Sequence, residues 1–594
     1  MRNKIMLSDD HGFISNKKKI TYILLVSKNI LKSTVVRNNV KQTINSVIKQ
    51  TVPFCDLLIV ADRQLISDLS CLIDECLIQA HQILNQSSAS RNLNNESFIT
   101  DDSYFLSDVK PEIRLYESPE DSFFVAVNTI KDEVQTEWLA FLDYRTELAQ
   151  HTTYELITAM VENPEAEMLY GDHDMINIRG FRSNPVFKPI FSLDLLYSQN
   201  YIGIFFSIKS KYIKNYRIVE HSNDFINFTY AIILNIVKNL IIDLYNKKIK
   251  TESLCSLSKK IIHIPSVLHS VRKVRATVNK KLEQGTEQLG LLKAHFQYCY
   301  PDSFVSQIKP FVYRHEWPIS KPEPLVSIII PTKDSHQILA TCIESVLKKT
   351  IYKNYEIIIV DNQSVNFKTI NYLKKLTKNY NNIKILKYSS TFNYSDINNI
   401  AVKNSKGSVI CFLNNDTEVI SPSWLTEMVR HAVRPDIGCV GAMHYYPDNR
   451  IQHAGVIVGM HGVADHAFKG QKKSSRGDVN NYLCSIRNPD AVTAATLVVR
   501  KELFDLVGGF DSEYLKVAFN DVDLCLKISN EGYRCLWTPN AELFHYESKT
   551  RNLELADDVS NEIEVFEHKV MQDRWLTNSF PVRDLLRSIN LSQI

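Results

Sequence analysis

FLNNDTEV, running from Phe412 to Val419, decides how this chain is organised, because an earlier stretch, FLDYRTEL from Phe141 to Leu148, aligns with it without a gap. Each follows an apolar run, Val409–Leu413 in one case and Trp138–Leu142 in the other, that reads as a buried strand. Each polar trio therefore falls just past the carboxyl end of a strand, where open α/β sheets bind ligands. The copies part at one decisive position. The later copy offers Asp416, an oxygen ligand of the kind hard divalent cations prefer, whereas the earlier has Arg145, whose permanent charge opposes a cation. The chain reads as a duplication with one working half and one disarmed half.

Two further correspondences extend the repeat. Asp62 closes the apolar run LLIVAD as Asp361 closes EIIIVD, and Asn223-Asp224 matches Asn520-Asp521. The offsets are 271 (412 minus 141), 299 (361 minus 62) and 297 (521 minus 224), so the loops differ in length, as surface connections tolerate. A repeat this long means two domains, not a solenoid. The expected division is a polar tail over 1–19, a degenerate domain over 20–275, a connector over 276–320, a working domain over 321–556, and a helical tail over 557–594.

Within the second domain, the apolar strand from Leu325 to Pro331 opens a regular alternation. Helices are expected near 338–349, 369–379 and 395–404, and strands at 357–360, 383–386 and 409–413. Such alternation predicts an α/β fold with a mostly parallel sheet, Rossmann-like, repeated in tandem. Past Pro435 the pattern loosens, and helices return at 501–507 and 521–531. A Ser- and Asn-rich stretch over 85–103 reads as a surface loop, and a proline-bearing segment over 301–324 as part of the connector.

Composition is that of an ordinary soluble globular protein: 594 residues, 44% hydrophobic, 23% charged, net charge +3. That balance carries no nucleic-acid footprint. Lysines do gather at 17–19, 247–250 and 472–473, and read as solvated surface or as contacts to an anionic membrane face. Eleven cysteines lack a CxxC pair, and Met1 is followed by Arg2 and Lys4 without an apolar leader, so reduced thiols and a cytoplasmic, membrane-peripheral location are expected. The apolar stretch from Phe228 to Tyr245 is broken by Asn235, Lys238, Asn239 and Asp243, which suits an amphipathic core helix better than a bilayer span.

Polar residues at strand ends then converge on one rim: Pro331, Thr332 and Asp334; Asp361; Asn414, Asn415 and Asp416; and downstream Asp521 and His545. A nucleotide-activated sugar needs three services there. Asp361 suits the nucleoside, Asp416 suits a divalent cation that completes its shell with substrate phosphates, and Asp521 suits a base that accepts the acceptor's proton. Plainer roles stand beside these. Asp361 also fits a turn cap, Asp416 and Asp521 fit helix caps with Asp523 as the base, and His545 fits a structural role.

VSIIIPTKD, VDNQS, FNYSDINN, FLNNDTEV, IQHAGVIVG, AFNDVDLCLK and FHYESKTR together resemble bacterial family 2 glycosyltransferases of the large type associated with O-antigen and other surface polysaccharides. The likeness covers roughly 321–552; LYGDHDMI, FKPIFSLDLLYSQNYIG and HIPSVLHSVR extend it weakly into the first half. It implies a GT-A fold, inverting transfer from a nucleotide sugar to a lipid-linked or polymeric glycan, and dependence on Mn²⁺ or Mg²⁺. It also implies a donor site of Pro331, Thr332, Asp334, Asp361, Asn393, Asn399, Asn414 and Asn415, metal ligation by Asp416 and His545, and Asp521 as general base. Asn414 replaces the first acid of the family's Asp-x-Asp signature. For the first half the expectation is a non-catalytic partner domain; two alternatives are a bifunctional enzyme and a glycan-binding scaffold.

Overall fold

The computed structural model describes residues 19–27, 33–91, 111–177, 179–214, 224–246, 254–273, 277–472, 481–546 and 557–576. The described chain divides into two compact units. The first holds the residues up to Phe191 together with Tyr201–Lys238 and Ser258–Leu291; the second holds Ser192–Asn200, Asn239–Leu257 and everything from Leu292 onward. The division is thus not contiguous in sequence, and it falls inside the helix Val278–Cys299.

In the second unit the strands stand in the order Ile383–Tyr388, Tyr355–Asn362, Val326–Thr332, Val409–Leu413, Thr496–Arg500, Ile437–Tyr445, Arg534–His545 and Thr417–Val419. The first four are mutually parallel. Val326–Thr332 is buried along its whole length, and its near-continuous Val and Ile run is what a strand covered on both faces requires. Thr496–Arg500 then enters antiparallel to both neighbours, so the sheet is mixed where the sequence pattern loosens. Helices His336–Lys349, Phe367–Asn379 and Tyr394–Lys403 fall within three residues of their expected bounds. Asn366 caps the second through its side-chain oxygen, accepting from the Lys368 and Thr369 N–H groups, and Asn393 caps the third in the same way.

The first unit repeats this plan strand for strand. Its order is Glu112–Ser118, Cys55–Asp62, Ile20–Val26, Trp138–Leu142, Phe206–Lys209, Met168–Ile176, Ile261–Arg272 and Thr146–Leu148, with the same parallel and antiparallel pairings at each step. The duplication inferred from two octapeptides therefore extends to the whole sheet topology. Each unit has its own apolar core, built from alternate positions of these strands and the helices on them.

One reading changes, one gains detail and that of the apolar core helix holds. Asn85–Arg91 belongs to the helix Ile66–Arg91 and is not loop; 92–103 lies outside the described residues. The connector contains an antiparallel hairpin, Phe304–Lys309 with Val312–Glu316. Asp172 and Asp174 of LYGDHDMI lie within the strand Met168–Ile176. The apolar helix spans Phe225–Asn246, and 72% of its most apolar window is buried, which identifies a core helix although its length and composition alone would allow a membrane crossing. Of the lysine clusters, 17–18, 247–250 and 473 lie outside the described residues, as does 577–594 of the expected helical tail.

Candidate functional site

The rim of the second unit is assembled by strand register. Thr332 and Asp361 are opposite partners at the ends of adjacent parallel strands, and Asp361 is 9% exposed, its Oδ1 accepting the Ser364 N–H at 3.2 Å. Beyond the next strand, Asn415 Nδ2 donates to Thr332 Oγ1 at 3.1 Å, tying the Asn414–Asp416 loop to that edge. Thr417 pairs with His545 across an antiparallel ladder, which sets the imidazole beside Asp416, and the Tyr546 N–H donates to the Asp416 carbonyl at 2.9 Å.

His545 Nε2 lies 3.1 Å from Asp416 Oδ1, yet that oxygen is buried without a hydrogen bond. On the other side of the ring, Nδ1 is 2.8 Å from Gln452 Oε1. An amide oxygen only accepts, so Nδ1 carries the hydrogen and a neutral ring shows its Nε2 lone pair to the carboxylate. Two acceptors facing each other at this spacing fit a cation between them: cis ligands at about 2.1 Å from an octahedral ion stand about 3.0 Å apart. Asn414 adds an amide nearby, its Nδ2 3.5 Å from His545 Nε2. The carboxylate and the imidazole therefore fit a divalent metal, and Gln452 would fix the tautomer of His545 there as outer partners of metal-bound histidines do.

Asp521 joins this cluster through backbone. Its Oδ2 accepts the Ala494 N–H at 2.9 Å and its Oδ1 accepts the Val522 N–H, while the Asn414 N–H donates to the neighbouring Ala495 carbonyl at 3.0 Å. Tyr394 Oη lies 3.3 Å from both Asn414 Oδ1 and the Ala494 carbonyl. Asp523 points elsewhere: it is fully buried, its Oδ1 taking hydrogen bonds from Arg574 and Trp575 and its Oδ2 facing Lys527.

Other residues named from the sequence hold loops. Asp334, at φ +47°, accepts the Val365 and Asn366 N–H groups on one oxygen. Asn393 caps its helix and donates to the Ser512 carbonyl, and Asn399 donates to the Phe510 carbonyl while accepting the Phe510 N–H. Gly509, at φ +72°, makes room for that grip, since a Cβ there would meet Asn399 Oδ1 at 2.7 Å. Pro331 is buried within its strand. His453 is fully buried with Nδ1 2.7 Å from His466 Nδ1, an internal pair. The cysteines are less scattered than their spacing implied: Cys439, Cys525 and Cys535 meet in the core with their sulfurs within 4.8 Å of one another. Sequence reasoning missed Gln452 as a functional residue, although IQHAGVIVG contains it.

The first unit preserves the frame and replaces the ligands. Thr146 pairs with Val271 where Thr417 pairs with His545, and the Arg272 N–H donates to the Arg145 carbonyl just as Tyr546 does to Asp416. Arg145 turns its guanidinium onto the buried Asp143 at 2.5 Å; burial works against its charge, and Asp143 more than restores it. Both acceptors of the facing pair are thus replaced, one by an arginine and the other by a valine. A shallow recess at the strand ends of this unit is lined by Asp62, Glu120 and Asp121, acids that repel a phosphate.

Residues 327–471 match the family model described as glycosyl transferase family 2. The second unit carries a family 2 glycosyltransferase domain. The match takes in the strand ends at Thr332 and Asp361, the Asn414–Asp416 loop and Gln452, and stops short of Asp521 and His545. Around the family 2 domain, 470 residues, or 77% of the chain, are 36% identical to the uncharacterized protein y4gI of Sinorhizobium fredii, covering 48% of that protein. A further alignment of 419 residues, 70% of the chain, is 31% identical to the O-antigen biosynthesis protein RfbC of Myxococcus xanthus, covering 31% of it. The chain spans less than half the length of these curated relatives. Among solved structures, the mannosyltransferase PcManGT from Pyrobaculum calidifontis, in complex with GDP-Man and Mn²⁺, is 15% identical with a TM-score of 0.31, covering 46% of this chain and 76% of that one. GalNAc-T7 with UDP, GalNAc and Mn²⁺ is also 15% identical, with a TM-score of 0.34 over 40% of this chain and 46% of that one.

Proposed function

We propose that the protein is an inverting, metal-dependent glycosyltransferase, adding a sugar from a nucleoside diphosphate donor to a growing surface glycan on the cytoplasmic side of the membrane. The observation that carries this reading is the facing pair of acceptors, His545 Nε2 and Asp416 Oδ1, beside Asn414 in a family 2 domain. Likeness to a protein of O-antigen biosynthesis supports the glycan as acceptor, lipid-linked or polymeric.

Asp361, Thr332 and Pro331 line the nucleoside, at the strand ends where open sheets take such ligands. Asp416 and His545 would hold Mn²⁺ or Mg²⁺, which neutralises charge on the departing diphosphate when bound, and Asn414 belongs with the donor contacts. Asp521 accepts the proton of the acceptor hydroxyl as its oxygen bonds to the anomeric carbon and the bond from that carbon to the diphosphate oxygen breaks. A single displacement inverts the configuration. Asp334, Asn393 and Asn399 serve this site by fixing its loops, because their amides and carboxylate are committed to backbone partners.

The first unit is proposed as a non-catalytic partner that grips the acceptor glycan. Arg145 and Val271 in the ligand positions weigh against a second transferase centre there. The deciding experiment screens nucleotide sugars against the full chain with Mn²⁺, reading donor hydrolysis and heat of binding. Nucleotide binding that ignores Mn²⁺ across the panel would reject the metal-dependent reading, and no nucleotide binding at all would favour a scaffold.

A further inference from the structure

The helix Asp557–Met571 and its continuation Gln572–Leu576 have no part in the reaction as described above. Yet this segment touches the second unit at chosen points. Glu567 is 1% exposed, and its carboxylate accepts three successive backbone N–H groups: Lys516 at 2.6 Å, Val517 at 3.0 Å and Ala518 at 2.6 Å. Consecutive amides aimed at one place form an anion nest, and here the anion is supplied by the chain itself. The next residue, Phe519, sits at φ +55° and starts the helix Asn520–Asn530 without a side-chain cap of its own. Its ring meets His568 edge-on at 5.7 Å. Beyond Asp521, Arg574 donates to Asp523 at 2.8 Å and to Asp511 at 2.9 Å, and Trp575 Nε1 donates to Asp523 at 3.0 Å. The grips therefore fall at 511, at 516–518 and at 523, on both sides of Asp521.

We infer that this C-terminal helix is a strap that sets the position of Asp521, with Glu567 as the positioning residue; the inference rests on the base role proposed for Asp521. A general base works only within hydrogen-bond reach of the proton it takes. Phe519 holds a backbone conformation that a residue with a Cβ adopts only when its surroundings impose it. Replacing the Glu567 carboxylate by an amide weakens its hold on three backbone N–H groups just before that residue and sets an NH2 donor against one of them, and the segment relaxes, carrying Asp521 with it. The donor contacts at Asp361 and Asp416 are on other elements, so turnover falls while donor affinity stays.

Glu567→Gln tests this in the full chain, since it keeps the side chain's shape and removes its charge. The expected result is a kcat lower by about tenfold or more with donor KM within about twofold. Amide exchange at 516–518 quickens in the same variant, a readout that needs no substrate. Arg574→Lys, which keeps the charge but not the forked geometry, gives a smaller loss of the same kind. Val565→Ala, on the exposed side of the helix, changes neither quantity. Wild-type kcat in Glu567→Gln, or unchanged exchange at 516–518, overturns the proposal. Absence of turnover by the wild-type chain refutes the transferase reading instead, and the exchange result still decides whether Glu567 holds the segment.

Discussion

Gln452 Oε1 receives the Nδ1 hydrogen of His545 at 2.8 Å, and that bond determines which lone pair the imidazole shows to Asp416. Gln452 lies 93 residues from His545 in sequence. Its effect on the cation is nonetheless large if His545 is a ligand. Gln452→Leu frees the ring to rotate or to take the other tautomer, and Mn²⁺ affinity is expected to fall between about 10- and 100-fold. Calorimetric titration of Mn²⁺ with a nucleoside diphosphate present measures it; an affinity equal to wild type removes His545 from the metal site.

Asp416→Asn and Arg145→Ala separate the two units. Asp416 supplies the charge that a cation needs, so its amide variant is expected to lose Mn²⁺-dependent nucleotide binding by about 100-fold or more while retaining its fold. Arg145→Ala leaves the nearly buried Asp143 carboxylate without its partner. Breaking such a pair costs about 3 kcal/mol, so the melting temperature falls while Mn²⁺ still binds the chain as before. Calorimetry and scanning fluorimetry on the two variants give the contrast. Loss of Mn²⁺ binding in Arg145→Ala would place a cation site in the first unit.

Asp521→Asn isolates the proton transfer. The amide keeps the size of the side chain and its oxygen still accepts the Ala494 N–H, but it cannot take a proton. Transfer is expected to slow by about 10²- to 10⁴-fold with donor binding retained. Single-turnover kinetics with a radiolabelled donor tests this, and near wild-type rates would move the base elsewhere, though not to Asp523, which Arg574 and Trp575 occupy.

What could be read in the sequence was whatever is local. Apolar runs closed by Asp361 or Asp62 reveal strands and their carboxyl ends, because a strand buried on both faces needs continuous apolar residues. The octapeptides at 141 and 412 revealed the duplication, and Arg145 its altered half, because charge is legible one residue at a time. Partners distant in sequence were not legible. Asn393 and Asn399 look like free amides in FNYSDINN, but their partners lie 111 to 119 residues away on the segment that precedes Asp521. Val271 became meaningful only once the ladder set it opposite Thr146. The helix through Asn85–Arg91 was missed because Ser and Asn disfavour helix by only a few tenths of a kcal/mol each, less than the rest of a long helix can offset.

The buried histidines predict how the protein responds to acid. Burial pulls His173 down to about 3 and His315 to about 4, and it holds His269, His431, His444 and His453 well below the usual imidazole range; neighbouring histidines add to the effect in these four, and Arg434 adds to it at His431. In the unfolded chain each of these titrates near 6.5. Between pH 6.5 and the folded values, the unfolded state therefore binds more protons than the native state, so stability present above pH 6.5 drains away as pH falls. At pH 5 each fully buried neutral imidazole removes about 2 kcal/mol, and because neighbouring rings titrate together the total is smaller than a plain sum. These groups lie in both units, His173 and His269 in the first and the other four in the second, so no unit is exempt. The carboxylates act later: Asp194, buried but held low by Arg434 and Arg534, gives up its share only below the ordinary carboxylate range. Calorimetric melting at pH 7.5, 6.5, 5.5 and 5.0 should show a steep fall that begins near 6.5. A melting temperature unchanged down to pH 5 would mean that these rings are charged or solvated in the native protein.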